Sequence, residues 1–419
     1  MDSRTIIIGL IIGLLIGAGA VYVAVPKQDV SIYEDQINGL ESQLTDLQED
    51  YAEALHRALT SELQAALEDV VDNPQATFPG ALLYISNPEL GTWTLSAGLG
   101  DIETSSLMKP DDKFRVGSIM KPFISVVTLQ LVEEGLFSLD DTLSDVLPEG
   151  IVARFPDADS ITVRMLLSHR SGIADFMIPA VVGELAANPS KVWEVEEFLD
   201  IAAAQGPLFV PGESYSYSNT NFNLLSLVIE EATGRPWRVE IRERIFEPLN
   251  LENTLLPEPG DTSIPGSHAR GYVAGEMVGM PGELLDFSYV DGSFVGGSGG
   301  SSLVSTTSDL AKFMDALVAG ELFQNEETLA EMVSFNEAQD FGGQVGYGLG
   351  LMELVLPSGV EFYGHAGGAP GYFSFVGYLP VEDITIALSC NIFPPDEYAV
   401  LWYTSFLETL MSELSATEG

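Results

Sequence analysis

One decapeptide organises this sequence: Phe114-Arg115-Val116-Gly117-Ser118-Ile119-Met120-Lys121-Pro122-Phe123. From Ile119 to Leu136 the apolar residues recur at helical spacing, which predicts a helix. Ser118 is expected to be its N-cap, and Pro122 falls in the first turn, where a missing N–H is tolerated. Residues three apart on a helix share a face, so the Lys121 amine can reach the Ser118 hydroxyl.

This spacing of serine and lysine permits nucleophilic chemistry. A serine hydroxyl needs a nearby base to attack a substrate, and a lysine serves as that base only when its pKa falls. Burial lowers the pKa of an amine, and the start of a helix adds partial positive charge that favours an oxyanion. Serine three before lysine is nevertheless common, and alone it is more typical of an ordinary helix start.

Two further groups are candidates for the same site. Tyr215-Ser216-Tyr217-Ser218-Asn219 precedes an apolar segment expected to be helical from Asn221 to Gly234. In extended chain the side chains of Tyr217 and Asn219 point the same way. Gly364-His365-Ala366-Gly367-Gly368-Ala369-Pro370-Gly371 combines an imidazole with glycines that let a substrate approach the backbone. Taken singly, each is equally typical of an ordinary turn.

The order and separation of the three groups resemble the penicillin-recognising serine hydrolases. The chain is most similar to the class C β-lactamase-like family, with its D-alanyl-D-alanine carboxypeptidases, D-aminopeptidases and esterases. The similarity extends from about Ala65 to the C-terminus. Beyond the three groups it includes these runs: Leu166-Leu167-Ser168-His169-Arg170-Ser171-Gly172, Pro211-Gly212-Glu213, Ile245-Phe246-Glu247-Pro248-Leu249 and Ser305-Thr306-Thr307-Ser308-Asp309-Leu310.

The resemblance implies a role for each matching residue. Ser118 would be the acylated nucleophile, Lys121 its base partner and Tyr217 the proton shuttle. Asn219, with Gly367 and Gly368, would position the substrate. His365 would take the place of the lysine or histidine that opens the family's third motif. The oxyanion hole would be formed by the backbone N–H groups of Ser118 and Gly368.

One departure from the family pattern bears on the substrate. Members that grip a substrate carboxylate often have hydroxyl side chains within and just after the third motif. Ala366 and Gly368 stand at those positions here, so these hydrogen bonds are missing. The sequence therefore favours hydrolysis of an ester or amide bond, including peptide or D-amino-acid bonds. The alternatives are a D-alanyl-D-alanine carboxypeptidase, a β-lactamase, and a penicillin-binding-like sensor that binds without turnover.

The fold implied by the resemblance is α+β. It consists of an antiparallel sheet flanked by helices, with an all-helical insertion at about residues 137–290. The predicted hydrolase domain covers residues 65–419, and the short strand-like runs near both of its ends would form one sheet. Residues 27–64 are expected to form a helical stalk, and residues 1–26 a membrane anchor or signal segment.

The N-terminal segments favour a tethered protein. Residues 5–25 form an uncharged apolar run of 21 residues, long enough to span a bilayer. A cleaved signal peptide is the competing interpretation, but the run continues past the small residues at 18–20. A tether would leave the catalytic domain outside the cytoplasm. Ile37, Leu40, Leu44, Leu47 and Tyr51 have the spacing of a coiled-coil seam, so two chains could pair there or through the apolar run. A single helix lying on its own domain is the alternative.

The composition of the chain limits the classes of molecule that it can bind. The 419 residues carry a formal net charge of −45, from 62 acidic and 17 basic residues. Such a surface repels nucleic acids. The acidic excess suggests adaptation to high salt and carries no information about the substrate. The sole cysteine, Cys390, is predicted to be a buried apolar residue, and no histidine spacing suggests a metal. No cofactor is expected.

Two other motifs are rejected as catalytic. Gly296-Gly297-Ser298-Gly299-Gly300 has the spacing of a nucleophile elbow but lacks the strand and helix that such an elbow joins. His169 belongs to a run that the family uses structurally.

Overall fold

The computed structural model describes residues 27–72, 78–88, 90–275, 282–293, 303–338, 344–393 and 406–409. The chain divides into two compact units between Ala58 and Leu59. The predicted membrane span lies outside the described residues. Within them, no helix is both long and apolar enough to cross a bilayer.

The first described element is a single helix, α1, from Lys27 to Val71. Of the predicted seam, Leu40 and Leu47 are exposed to solvent. From Leu59 onward α1 belongs to the second unit, where Leu59, Leu63 and Leu67 are buried. The compact domain therefore begins before residue 65, the predicted boundary, because leucines ahead of that point already pack in its core.

A nine-stranded antiparallel sheet dominates the second unit. Its strands are β1 (Gly80–Asn87), β2 (Gly91–Asp101), β3 (Ser106–Leu107), β8 (Asn336–Glu337), β9 (Gln344–Tyr347), β10 (Met352–Val355), β11 (Glu361–Ala369), β12 (Tyr372–Leu379) and β13 (Ile384–Cys390). Across the sheet their order is β3-β2-β1-β13-β12-β11-β10-β9-β8, so β1, near the start of the domain, pairs with β13, near its end. This confirms the antiparallel sheet built from distant segments.

Helices cover this sheet and are the main regular elements of the inserted region. After α1 they are α2 (Met120–Glu133), α3 (Leu143–Val146), α4 (Glu149–Val152), α5 (Val163–Leu167), α6 (Pro179–Ala187), α7 (Val195–Ala203), α8 (Asn219–Thr233), α9 (Trp237–Ile241), α10 (Thr307–Val318) and α11 (Glu326–Met332). Helix α10 packs against β1, β12 and β13, and α2 packs against α8 and α9.

The insertion is not purely helical, contrary to the expectation from the family. Strands β5 (Tyr272–Ala274) and β6 (Leu284–Asp286) lie within residues 137–290. They form a small sheet with β14 (Ile392–Phe393), which pairs parallel to β5. The insertion is thus joined to the chain that leaves the main sheet after β13. Cys390, at the end of β13, is buried as predicted, and burial raises the pKa of its thiol to about 12.

The turn into α2 differs from the predicted one. Strand β4 (Phe114–Arg115) pairs with β7 (Val304–Ser305), and Gly117 then takes a positive φ of 60°. Residues Gly117–Ile119 form one 3₁₀ turn, and the α-helix starts at Met120, with Ile119 as N-cap. Ser118 is therefore not the N-cap. Pro122 does lie in the first turn, as predicted.

Candidate active site

Lys121 is the centre of the site. Its Nζ donates hydrogen bonds to Ser118 Oγ at 2.9 Å and to Asn219 Oδ1 at 2.7 Å. Only 1% of the Lys121 surface is exposed, because α2 is buried along nearly its whole length. Burial lowers the pKa of Lys121 to about 7, against an opposing effect of the Asp175 charge. Near neutral pH this amine is therefore divided between its charged and neutral forms, and the neutral form can act as a base.

Tyr217 lies against the same amine. Lys121 Nζ stands 4.8 Å from the centre of the Tyr217 ring. The ring also packs on His169, with centroids 4.2 Å apart. His169 is fully buried, and its Nδ1 accepts a hydrogen bond of 3.1 Å from the Ser218 N–H. His169 thus supports the loop that carries Tyr217, in agreement with a structural role.

His365 lies in β11 beside this group, with its ring centroid 6.4 Å from that of Tyr217. Nδ1 is 2.5 Å from the carbonyl oxygen of Ala366, so we assign the ring proton to Nδ1. Nε2 then accepts a hydrogen bond of 3.0 Å from the Tyr347 hydroxyl. Burial, and next the Lys121 charge, lowers the pKa of His365 to about 3. The ring is neutral at neutral pH, so it carries no positive charge into the site.

The glycines bring β11 directly against the nucleophile turn. A Cβ on Gly117 would lie 2.5 Å from the carbonyl oxygen of Gly368, and one on Gly367 would lie 1.9 Å from that of Val116. Strand β10 pairs with β11 only as far as Gly364, so it does not cover the later part of that edge. The backbone of Gly367 and Gly368 therefore lies next to the turn that holds Ser118.

Comparisons with known proteins identify the family of the chain. The family model described as Beta-lactamase matches residues 57–409.

The chain belongs to the β-lactamase family.

Among individual β-lactamase-family proteins, the chain is 30% identical over 344 residues to penicillin-binding protein 4* of Bacillus subtilis. That alignment covers 78% of this chain and 71% of the relative. A D-stereospecific amidohydrolase from Streptomyces sp. is 32% identical, with a TM-score of 0.71 over 82% of this chain and 97% of that one. A D-amino acid amidase from Ochrobactrum anthropi SV3 is 26% identical, with a TM-score of 0.75 over 86% and 100%. The chain is a serine hydrolase of this family that acts on amide or ester bonds.

The site of this β-lactamase-family chain includes two residues that sequence reasoning missed. Asp175 accepts a hydrogen bond of 2.8 Å from Asn219 Nδ2, and Tyr347 is the partner of His365. Asp175 follows the Leu166–Gly172 run by three residues, and that proximity was the only available signal. Tyr347 lies in β9, far from any motif. The rejected Gly296–Gly300 motif lies outside the described residues.

Proposed function

We propose that the protein hydrolyses its substrate through an acyl-enzyme on Ser118. The neutral Lys121 amine takes the proton of the hydroxyl as Oγ attacks the acyl carbon. The C–N or C–O bond then breaks, and Tyr217 passes a proton to the leaving group. Water hydrolyses the acyl-enzyme and restores Ser118. The observation that carries this proposal is the buried Lys121 amine, 2.9 Å from Ser118 Oγ, with a pKa of about 7.

The remaining site residues are proposed to bind the substrate and its developing charge. The N–H groups of Ser118 and Gly368 form the oxyanion hole, where one donor is typically worth about 3–4 kcal/mol. The close contact between the backbones of Gly117 and Gly368 supports this pairing. Asn219 holds the Lys121 amine and, with Gly367, positions the substrate. His365 acts through Tyr347 as a neutral hydrogen-bonding group.

We propose an amide or ester of a D-amino acid as the substrate class. The amidohydrolase and the amidase above are similar to this chain over more than four fifths of its length. Ala366 and Gly368 bring no hydroxyl to the third motif, and the neutral His365 brings no positive charge. A substrate carboxylate would therefore find few partners at this edge. This disfavours the D-alanyl-D-alanine carboxypeptidase and β-lactamase alternatives.

A substrate panel tests this choice. D- and L-phenylalanine amide, p-nitrophenyl esters, a D-alanyl-D-alanine peptide and nitrocefin would be compared for kcat/KM, with Ser118→Ala as the blank. We expect the D-amide or the esters to be turned over fastest. Rapid turnover of nitrocefin or of the dipeptide substrate would overturn the assignment. Stable labelling of Ser118 by a fluorophosphonate, with no turnover of any substrate, would indicate the sensor.

We also propose that residues 5–25 tether the protein to a membrane, with the hydrolase domain outside the cytoplasm. The support is the uncharged apolar run of 21 residues. Mass spectrometry of the mature N-terminus, together with fractionation of membranes, tests the tether. An intact N-terminus in the membrane fraction is expected, and cleavage near residue 20 with release of the protein would contradict it.

The stalk is proposed to pair with that of a second copy of the chain. In a heptad numbering of the stalk, Ile37 and Leu44 occupy a positions, and Leu40 and Leu47 occupy d positions. In a parallel dimer the flanking g and e positions of the two chains would then face each other as Gln36 with Glu41 and as Gln43 with Gln48. Neither of these pairs places like charges together. Leu40 and Leu47 are exposed in the single chain.

Engineered cysteines test this pairing, because the native Cys390 is buried. Leu44→Cys is expected to form an interchain disulfide under mild oxidation. Ser42→Cys, on the outer face of the same helix, serves as the control. Equal crosslinking of the two variants would contradict the seam.

A further inference from the structure

A carboxylate lies behind the amide that holds Lys121. Asp175 is in the loop between α5 and α6, and its Oδ2 accepts the 2.8 Å hydrogen bond from Asn219 Nδ2. Its Oδ1 accepts a hydrogen bond of 3.2 Å from the Met177 N–H. None of the ion pairs found among the described residues includes Asp175. Burying a carboxylate costs free energy unless the group is hydrogen-bonded or paired with a charge. The position of Asp175 therefore calls for a structural or functional reason.

The orientation of the Asn219 amide matters because its two ends have opposite hydrogen-bonding character. The oxygen accepts and the nitrogen donates, while the shape of the group is nearly the same after a half-turn. In the observed orientation Oδ1 accepts from Lys121 Nζ. The lone pair of a neutral Lys121 amine then remains available to the Ser118 hydroxyl.

The opposite orientation would block the base. Asn219 Nδ2 would then face Lys121 Nζ and donate a hydrogen bond into the amine lone pair. The proton of Ser118 would have no acceptor on Lys121. A carboxylate offers only acceptors, so Asp175 can bond the nitrogen end of the amide and not its oxygen end. Its presence therefore selects the productive orientation.

We propose that Asp175 is a positioning residue for acylation, which fixes the Asn219 amide so that the Lys121 amine is free to accept the serine proton. Among the described residues, the hydrogen-bond partners of the Asp175 carboxylate are Asn219 and the Met177 N–H, and Ser118 is not one of them. Asp175 acts through Asn219, and the inference rests on the proposed role of Lys121 as base.

The charge of Asp175 has a second effect at the same site. In the part of the chain that the structure describes, the titratable groups that face Lys121 are Asp175, His169, His365 and Tyr217. Burial lowers the pKa of both histidines, so both are neutral near neutral pH. The negative charge of Asp175 raises the pKa of Lys121 against the larger effect of burial. Removal of this charge should therefore move the acidic limb of the pH profile to lower pH.

Two variants separate orientation from charge. In Asp175→Asn the side chain keeps its shape and loses its charge, but its one amide oxygen can accept from only one of Asn219 Nδ2 and the Met177 N–H. We therefore expect the acidic limb to move to lower pH and kcat to fall much less than in Asp175→Ala. Asp175→Ala removes both functions, and we expect kcat to fall by about 10²-fold, the typical cost of a misplaced catalytic group, with little change in KM. Asp315→Asn is the control, because this partly buried carboxyl bonds Ser86 and lies outside the site.

A double-mutant cycle decides whether Asp175 acts through Asn219. If it does, Asp175→Ala should have little further effect in the Asn219→Ala background. An equal loss of kcat in both backgrounds would overturn the proposal, as would an unchanged kcat in Asp175→Ala. Should Asp175→Ala fail to fold, an Asp175→Asn variant whose acidic limb stays in place, or whose kcat falls about 10²-fold, would refute it. Failure of the proposed function would show differently, as labelling that persists in Ser118→Ala.

Discussion

Replacement of Lys121 by methionine should stabilise the folded protein at neutral pH while it abolishes turnover. The side chain is 1% exposed, and burial lowers its pKa from 10.5 to about 7. One pKa unit corresponds to about 1.4 kcal/mol, so holding the charged amine in this site costs about 5 kcal/mol. Methionine has similar length and no charge, and it removes that cost.

Part of this gain is lost to hydrogen bonding. Without the amine, Asn219 Oδ1 loses its donor, and an unsatisfied buried acceptor costs about 1–3 kcal/mol. The net gain in the free energy of unfolding is therefore about 2–4 kcal/mol at pH values below 7.

The sign of the difference should change with pH. Since the pKa of Lys121 is lower in the folded than in the unfolded chain, the unfolded chain binds one more proton between about pH 7 and 10.5. Wild-type stability from this group therefore rises with pH through that window and is flat below it. At about pH 10 less than about 1 kcal/mol of the charge penalty remains, so the methionine variant should be the less stable protein by up to about 2 kcal/mol.

Urea unfolding from about pH 6 to pH 10 at constant ionic strength measures this difference. Lys312→Met is the control, because 48% of the Lys312 side chain is exposed, although its partner Asp309 is buried. Its difference from wild type should show no comparable change with pH. A Lys121→Met difference that stays constant over the whole range would refute the reasoning, since it would mean that Lys121 titrates as an exposed lysine does.

Three further predictions follow from the site. Tyr217→Phe keeps the ring contact with His169 but loses the hydroxyl, so kcat should fall by about 10²–10⁴-fold with an unchanged Tm. An undiminished kcat would show that Tyr217 is not the proton shuttle. The kcat/KM of the wild type should show an acidic limb near pH 7, the pKa of Lys121, and a limb near pH 4 would point to another base. Gly117→Ala places a Cβ 2.5 Å from Gly368 O at positive φ, so it should cost at least about 1–2 kcal/mol and lower kcat; a wild-type Tm would contradict this.

The convergence of the catalytic groups could be foreseen from the sequence. Ser118 and Lys121 are three residues apart at the start of a helix, and this local spacing suffices to bring them into contact. Lys121 and Asn219 are 98 residues apart in the sequence, so only the family resemblance could suggest that they are in contact. Periodicity alone predicted helices at residues 119–136 and 221–234 and strands near both ends of the domain, but not their arrangement around the site.

Other features could not be read from local patterns. The glycine-rich run at 364–369 has low β-propensity, yet it forms part of β11, because its glycines permit the backbone of the nucleophile turn to approach. Asp175 and Tyr347 have no motif, since their roles arise from tertiary contacts with Asn219 and His365. The prediction that Ser118 is the helix N-cap was wrong, because Gly117 adopts a positive φ and a 3₁₀ turn precedes the α-helix.

The pH dependence of Ser118 acylation tests the central claim most directly. A fluorophosphonate probe would be followed by intact mass, and the modified peptide would be sequenced. We predict one label per chain, on Ser118, with a rate that is half-maximal near pH 7 and collapses in Lys121→Met. Labelling on another residue, or labelling of Lys121→Met at the wild-type rate, would contradict the assignment of Lys121 as the base that activates Ser118.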